Sequence, residues 1–303
     1  MESALVLFNQ LLIMFIYIFM GWLMRKKALI SSESSKALAN LLLYCILPCV
    51  IIKSFAIEAT QEKTIALACS FALGAFSLLI AVVVSALLYH KSPVDNFGSA
   101  FSNAGFMGIP VISAVLGVEA VFYLGGMVAM LNTLQWTYGQ YLISGKKDSI
   151  TIKGIIFNPL VMALFAGLLL YFLPISLPAQ FMTCVTALAA CNAPVAMVIL
   201  GVYLGNVRLS HIFLSKANYL QSAVRLLLIP VLTVLLFIPL ASLPITMRQA
   251  ILIAASAPVG SNVAVYAQKQ GMDTTHAVET VCLSTILSVI SMPLILLIAG
   301  LIW

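Results

Sequence analysis

Residues 103–111 read NAGFMGIPV, in the middle of a stretch otherwise apolar enough to cross a bilayer. Asn103, Gly105, Gly108 and Pro110 all oppose a continuous helix there: glycine costs backbone entropy, and proline removes an amide donor and clashes with the preceding turn. In lipid each freed backbone group costs several kcal/mol unless something satisfies it. A chain that accepts this cost has placed a polar point inside the membrane.

Composition sets the surroundings. Of 303 residues, 63% are hydrophobic and only 8% charged, whereas soluble domains are about a quarter charged. Apolar runs at 5–24, 37–56, 64–89, 96–116, 119–143, 154–173, 181–204, 213–240, 246–267 and 276–302 approach or exceed the roughly 20 residues of a helical span. The reading is an all-α integral membrane protein of ten spans. The runs 96–116 and 246–267 are the richest in small and helix-breaking residues. The first run has neither a positive flank nor a small-residue cleavage site, and reads as a retained helix. All six cysteines (Cys45, Cys49, Cys69, Cys184, Cys191, Cys282) fall in apolar runs without metal-type clustering, so they read as small buried hydrophobes.

The net charge of +6 is spread over many short loops, which fits the positive-inside rule and excludes a nucleic-acid surface. With the N-terminus outside, the cytoplasmic segments hold Arg25, Lys26, Lys27, Lys36, Lys91, Lys146, Lys147, Lys153, Arg208, Lys216 and Lys269. The other side holds only Lys53, Lys63 and Arg248, and Arg225 lies within a span. Both termini are therefore expected outside, in a multi-pass protein of the plasma or inner membrane. The most polar connection, SGKKDSITIK at 144–153, divides the spans five and five.

An odd number of spans per half inverts the second half. Three echoes recur in the same order: FNQLL (8–12) with FNPLV (157–161), CILP (45–48) with CNAP (191–194), and NAGFMGIPVISAVLG (103–117) with ASAPVGSNVAVYAQKQG (255–271). Together they indicate two inverted five-helix repeats. Matching interrupted helices in two such halves point to a transporter binding site, where half-helix N-termini favour an anion and unwound carbonyls a cation.

These residues resemble the auxin efflux carrier family, which contains the plant PIN-type carriers and many bacterial organic-acid carriers. The resemblance covers most of the chain. It is carried by SNAGFMGIPVISAVLG (102–117), APVAMVILGVYLG (193–205), AVRLLLIPV (223–231), and ASAPVGSNVAVYAQKQG followed by LSTILSVISMPLIL (283–296). The resemblance implies a fold like that of sodium/proton antiporters and bile-acid symporters, with helices four and nine broken and crossing. It implies a scaffold of 1–58 and 154–205, and a transport domain of 64–143 and 209–303 that moves like an elevator. It implies a carboxylate-bearing organic anion as substrate, with Asn103 near the carboxylate and Asn132 where plant carriers have a glutamine. Val263 replaces a second crossing proline of the plant carriers, Pro258 remains nearby, Asn262 is added, and CVIIKS (49–54) lacks their polar residue. A small mono- or dicarboxylate is therefore expected rather than the plant hormone.

The candidate substrate-binding residues are Asn103, Gly105, Pro110, Asn132, Asn192, Pro258, Ser261 and Asn262. Asn103 and Asn262 can bind the ligand or cap the following half-helix. Asn132 can instead tie helices together, and Asn192 can satisfy the carbonyl freed by Pro194. Arg225 either attracts the anion or bonds carbonyls exposed by the helix-nine break, and Glu279 either carries a coupling proton or sits at the interface. His276 reads as a neutral interfacial histidine sooner than a proton relay.

No cofactor is called for, and no HExxH motif, paired intramembrane aspartates or nucleotide loop suggests an enzyme. A cation–proton antiporter of the same topology lacks the carboxylates it needs in 96–116 and 246–267; a receptor for a small anion stays open. So do a coupling proton or sodium ion and a homodimeric assembly. On this topology, cysteines placed at 146 and 147 react only with reagents that reach the cytoplasm. Labelling from outside intact cells would overturn the orientation.

Overall fold

A computed structural model describes residues 2–146, 156–173, 177–206 and 209–303. Lys147, Lys153 and Arg208 of the charge count, and most of the 144–153 connection, lie outside the described residues. The described chain is helical, with one isolated antiparallel bridge between Ser102 and Val259. In order, the longer helices are α1 (Glu2–Lys26), α2 (Glu33–Phe55), α3 (Gln61–Leu88), α4 (Pro93–Ala100), α5 (Ala104–Val115), α6 (121–144), α7 (Pro159–Phe172), α8 (Ala179–Gly205), α9 (Lys216–Leu240), α10 (Ile245–Ser256), α11 (Asn262–Lys269) and α12 (Thr274–Ile302), with a short helix Leu209–Leu214 between α8 and α9.

Among the described residues, α1, α2, α3, α8, α9 and α12 contain apolar spans long enough to cross a membrane. The apolar stretches of α5, α7 and α10 are shorter. The expected runs 96–116 and 246–267 each divide in two, into α4–α5 and α10–α11, so neither forms one long span.

Polarity is arranged inside out. On α12, Thr280, Ser284, Thr285, Ser288 and Ser291 are buried while Ile290, Leu294 and Leu301 are exposed. That pattern suits an apolar solvent outside and a polar seam within the bundle.

Local sequence explains the helix starts. Ser31, Thr60, Asn158, Ser215 and Asp273 each accept a bond from a backbone N–H in the first turn that follows, satisfying groups that a helix leaves open. Among the described residues, proline follows three of the four wide turns, Gln135–Gly139 being the exception. Three wide π-helical turns, Leu42–Ile46, Ala104–Gly108 and Val224–Leu228, each end two residues before a proline: Pro48, Pro110 and Pro230. The wider turn accommodates the ring and missing donor that an α-helical interior rejects.

This corrects one expectation. The first interruption occupies 101–103, and Gly105, Gly108 and Pro110 lie within the helix that resumes after it. That helix closes at Gly117, whose φ of 91° suits a residue without a β-carbon.

Helices α1 and α8 meet backbone to backbone. A β-carbon on Gly21 would collide with the Val198 carbonyl, and one on Gly201 with the Ile18 carbonyl. Such reciprocal small-residue contacts hold helices together where lipid supplies no hydrophobic drive. Gly201→Leu is expected to lower stability by about 3 kcal/mol, the upper range of overpacking. Gly300→Leu, where a β-carbon meets nothing, should behave as wild type. Equal thermal unfolding of both variants in detergent would refute the contact.

Candidate functional site

The two interrupted segments pair with each other. The Asn103 amide donates to the Pro258 carbonyl at 2.7 Å, and the Gly260 amide to the Phe101 carbonyl at 3.0 Å. Backbone freed by one break thus satisfies backbone freed by the other. The approach is close: a β-carbon on Gly260 would stand 3.0 Å from the Phe101 carbonyl oxygen. The Val259 amide donates at 3.1 Å to Oγ of Ser284 on α12. Ser284 was not singled out from sequence, since one serine among several on an apolar helix carries no local signal.

Helices α4 and α10 end at this crossing and α5 and α11 begin there, so two carbonyl ends and two amide ends converge. Arg225, 1% exposed, lies on the wide turn of α9. Its Nη1 donates to the Ser99 carbonyl at 2.9 Å and its Nη2 to the Ala255 carbonyl. One guanidinium joins the ends of α4 and α10 and places positive charge where both helix dipoles are negative. Of the two readings of Arg225, the geometry matches bonding to the exposed carbonyls.

The amide ends are furnished differently. Asn103 stands before the first turn of α5 and makes no side-chain cap bond. Its side-chain amide nitrogen Nδ2 is buried without a partner, unlike its backbone amide, and the residue is only 5% exposed. A β-carbon on Gly105, half-buried two residues on, would meet nothing within 4 Å, so open space adjoins the half-helix start. Across the crossing, Ser261 is buried, and Asn262 is exposed with its Nδ2 donating to Gln135 Oε1 at 2.8 Å. Pro258 is buried and supplies the carbonyl bonded to Asn103.

Gln135 was missed because a glutamine next to Trp136 reads as an interfacial residue; only the fold brings it to the second break. Asn132, one turn earlier on α6, bonds its own helix through the Val128 carbonyl at 2.8 Å. It is not the interhelical tie considered from sequence. Asn192 is 3% exposed, with neither its amide oxygen nor its nitrogen partnered. The stretch Asn192–Gly205 packs against Ala104–Gly108, which brings α8 against the start of α5.

Glu279 and His276 lie away from these amide ends. Asn218 Nδ2 of α9 donates to Glu279 at 3.4 Å, and the Thr280 hydroxyl donates to Asn218 Oδ1 at 3.0 Å. His276 Nε2 stands 2.7 Å from Asp95 Oδ1 on α4. Among the described residues, no group of three or more His, Cys, Asp or Glu is placed to hold a metal ion.

A bundle with lipid-type outer faces and a polar crossing of interrupted helices defines a polytopic membrane protein with an internal polar site. The sequence profile described as "Membrane transport protein" matches residues 6–296. The chain therefore belongs to this family, that of the auxin efflux carriers and their bacterial relatives, and it is a transporter rather than an enzyme. It is 27% identical over 288 residues to a "Putative malonate transporter" of Rhizobium meliloti (strain 1021), covering 90% of this chain and 89% of that one. It is 30% identical over 202 residues to an "Uncharacterized transporter" of Methanothermobacter thermautotrophicus, covering 65% of this chain and 64% of that protein.

Replacing Arg225 by leucine strands the Ser99 and Ala255 carbonyls. At about 1–3 kcal/mol for each buried unsatisfied acceptor, the loss should reach about 2–6 kcal/mol. Arg225→Lys should fall between, because an ammonium lacks the fork that reaches two acceptors. Thermal unfolding of the three proteins in one detergent checks the order; an unchanged melting temperature in Arg225→Leu would exclude the bridge.

Proposed function

We propose that this transporter carries a small carboxylate-bearing organic anion, bound at the crossing of the interrupted helices. The observation that carries the reading is the unpartnered, buried Asn103 amide nitrogen at the start of α5, beside the open space at Gly105. A donor left unbonded in a buried place costs free energy, and a carboxylate oxygen there recovers it. The backbone amides of the first turn and the positive end of the helix dipole add to that preference. With Nη1 and Nη2 of Arg225 donated to carbonyls, the anion in this reading is held by neutral donors and dipoles rather than by a lysine or arginine.

The name of the Rhizobium relative supports a dicarboxylate such as malonate. Ser261, Asn262 and Gln135 would bind the far end of the substrate, Asn192 would contribute from α8, and Gly105, Pro110 and Pro258 would shape the space. Asn132 serves its own helix in this arrangement. The reading includes ten spans in two inverted repeats, termini outside the cell membrane, and an elevator movement. Segments 64–143 and 209–303 would move against 1–58 and 154–205. The close packing of α1 on α8 through Gly21 and Gly201 supports the scaffold half of this division.

Asn103 separates ligand binding from capping. If its amide binds the carboxylate, Asn103→Ala weakens anion binding by about 1.5–3 kcal/mol, the scale for hydrogen bonds to charged groups. Asn103→Asp is worse, because it sets like charges together in a poorly hydrated site. If the residue only caps α5, Asp substitutes well and Ala does not. Malonate titrations of equally folded samples, at a pH where Asp is ionised, decide between the rankings. Near-normal affinity in the Asp variant would overturn the binding role.

A further inference from the structure

Below the crossing lies a second polar cluster that the anion site does not use. Asp95 is in the first turn of α4 and His276 in the first turn of α12, 181 residues apart in sequence, with Nε2 and Oδ1 2.7 Å apart. The side chains are 21% exposed for His276 and 15% for Asp95, so neither is sealed inside the bundle. The Asp95 carbonyl also accepts from Gln221 Nε2 of α9 at 3.1 Å, which ties the start of α4 to a third helix.

We propose that the Asp95–His276 pair is a proton-binding site coupled to the anion site, making the protein a proton-linked anion carrier. The proposal rests on the carboxylate reading above. It also rests on both residues lying in the segments assigned to the moving domain. The neutral imidazole takes one proton from the aqueous phase it faces, and the pair changes from one net negative charge to none. Proton and anion then cross together, and the proton is released to water on the other side.

The linkage is electrostatic. Asp95 and Asn103 are eight residues apart along one interrupted helix, roughly 12 Å at the helical rise. Removing one unit of negative charge at that distance, at an effective dielectric of about 20, strengthens binding of a monoanion about tenfold. Histidine is the side chain whose ordinary titration falls in the physiological range.

Other charges face the pair. The carboxylates are Asp273 and Glu279 of α12, both within electrostatic reach of His276. The basic groups are His90 and Lys91 at the exposed turn between α3 and α4, exposed Lys216 at the start of α9, and Arg225, which is committed to carbonyls. Tyrosine side chains are ordinarily neutral below about pH 10, well above the range in question. Of these groups it is Asp95, on α4 itself, that His276 meets directly, so a proton taken by the pair changes the charge at the start of α4.

Two measurements test this on the full-length protein. Histidine-selective isotope labelling gives NMR signals for the three histidines, and the signal lost in His276→Gln identifies His276. Its titration midpoint should move in Asp95→Asn, a readout that needs no substrate. Malonate affinity of the wild type should rise at least about tenfold, the figure for a single carboxylate, from pH 8 to pH 6 relative to His276→Gln, a comparison in which the ligand's own ionisation cancels. An unmoved midpoint in Asp95→Asn, or equal pH dependence of affinity in the two proteins, overturns the proposal. Absence of malonate binding to the wild type at every pH overturns the carboxylate reading and the coupling with it. The NMR titration then still decides whether the pair binds a proton.

Discussion

The fold depends on one constraint: backbone groups released inside an apolar bundle must find partners inside it. The breaks at 101–103 and 257–261 meet this constraint jointly. Asn103 donates across to Pro258, Gly260 donates back to Phe101, and Ser284 accepts from the Val259 amide between them. Each group left open would cost several kcal/mol in lipid, comparable to a large share of the stability of a folded domain. The small residues at the crossing follow from this pairing, since a β-carbon at Gly260 would crowd the carbonyls it must approach. Ser284 of α12 is buried against the same crossing and accepts from it.

Pairing settles most of the backbone but leaves an electrostatic imbalance. Two helices end and two begin in one small volume, so partial charges of both signs accumulate there. Arg225 answers the negative pair by bonding the Ser99 and Ala255 carbonyls together. The positive pair at Asn103 and Asn262 would be answered by negative charge, and the side-chain amide nitrogen of Asn103 has no partner in the protein. The asymmetry gives the crossing a direction, with one guanidinium bonded to both carbonyl ends and an unpartnered asparagine side chain at one amide end.

Some of this was legible in single stretches of chain. NAGFMGIPV and ASAPVGSNV announce their own breaks because Gly, Pro, Asn and Ser change local backbone energetics whatever surrounds them. Pro110 was nevertheless misread as part of the break. A wide turn at Ala104–Gly108 absorbs its lost donor, as similar turns do before Pro48 and Pro230. The two readings of Arg225 could not be separated in the sequence, because a buried cation beside a proline has no written partner. Gln135 and Asp95 carried no signal at all. Each is an ordinary polar residue near the end of a hydrophobic run, and each acquires a partner, Asn262 or His276, more than a hundred residues away.

What the sequence determined by itself were properties summed over neighbouring residues: membrane character from 63% hydrophobic content, and the two places where helices stop. Those properties depend on propensity, hydropathy and charge within a few turns, so a linear reading captures them. Only the tertiary structure decided which free backbone groups satisfy which, that one guanidinium closes both carbonyl ends, and that Asn103 is left with an unused donor. These are matters of distance between remote segments. Hydrogen bonds act over about 3 Å, and no local pattern in the chain encodes which distant residue will arrive within that range.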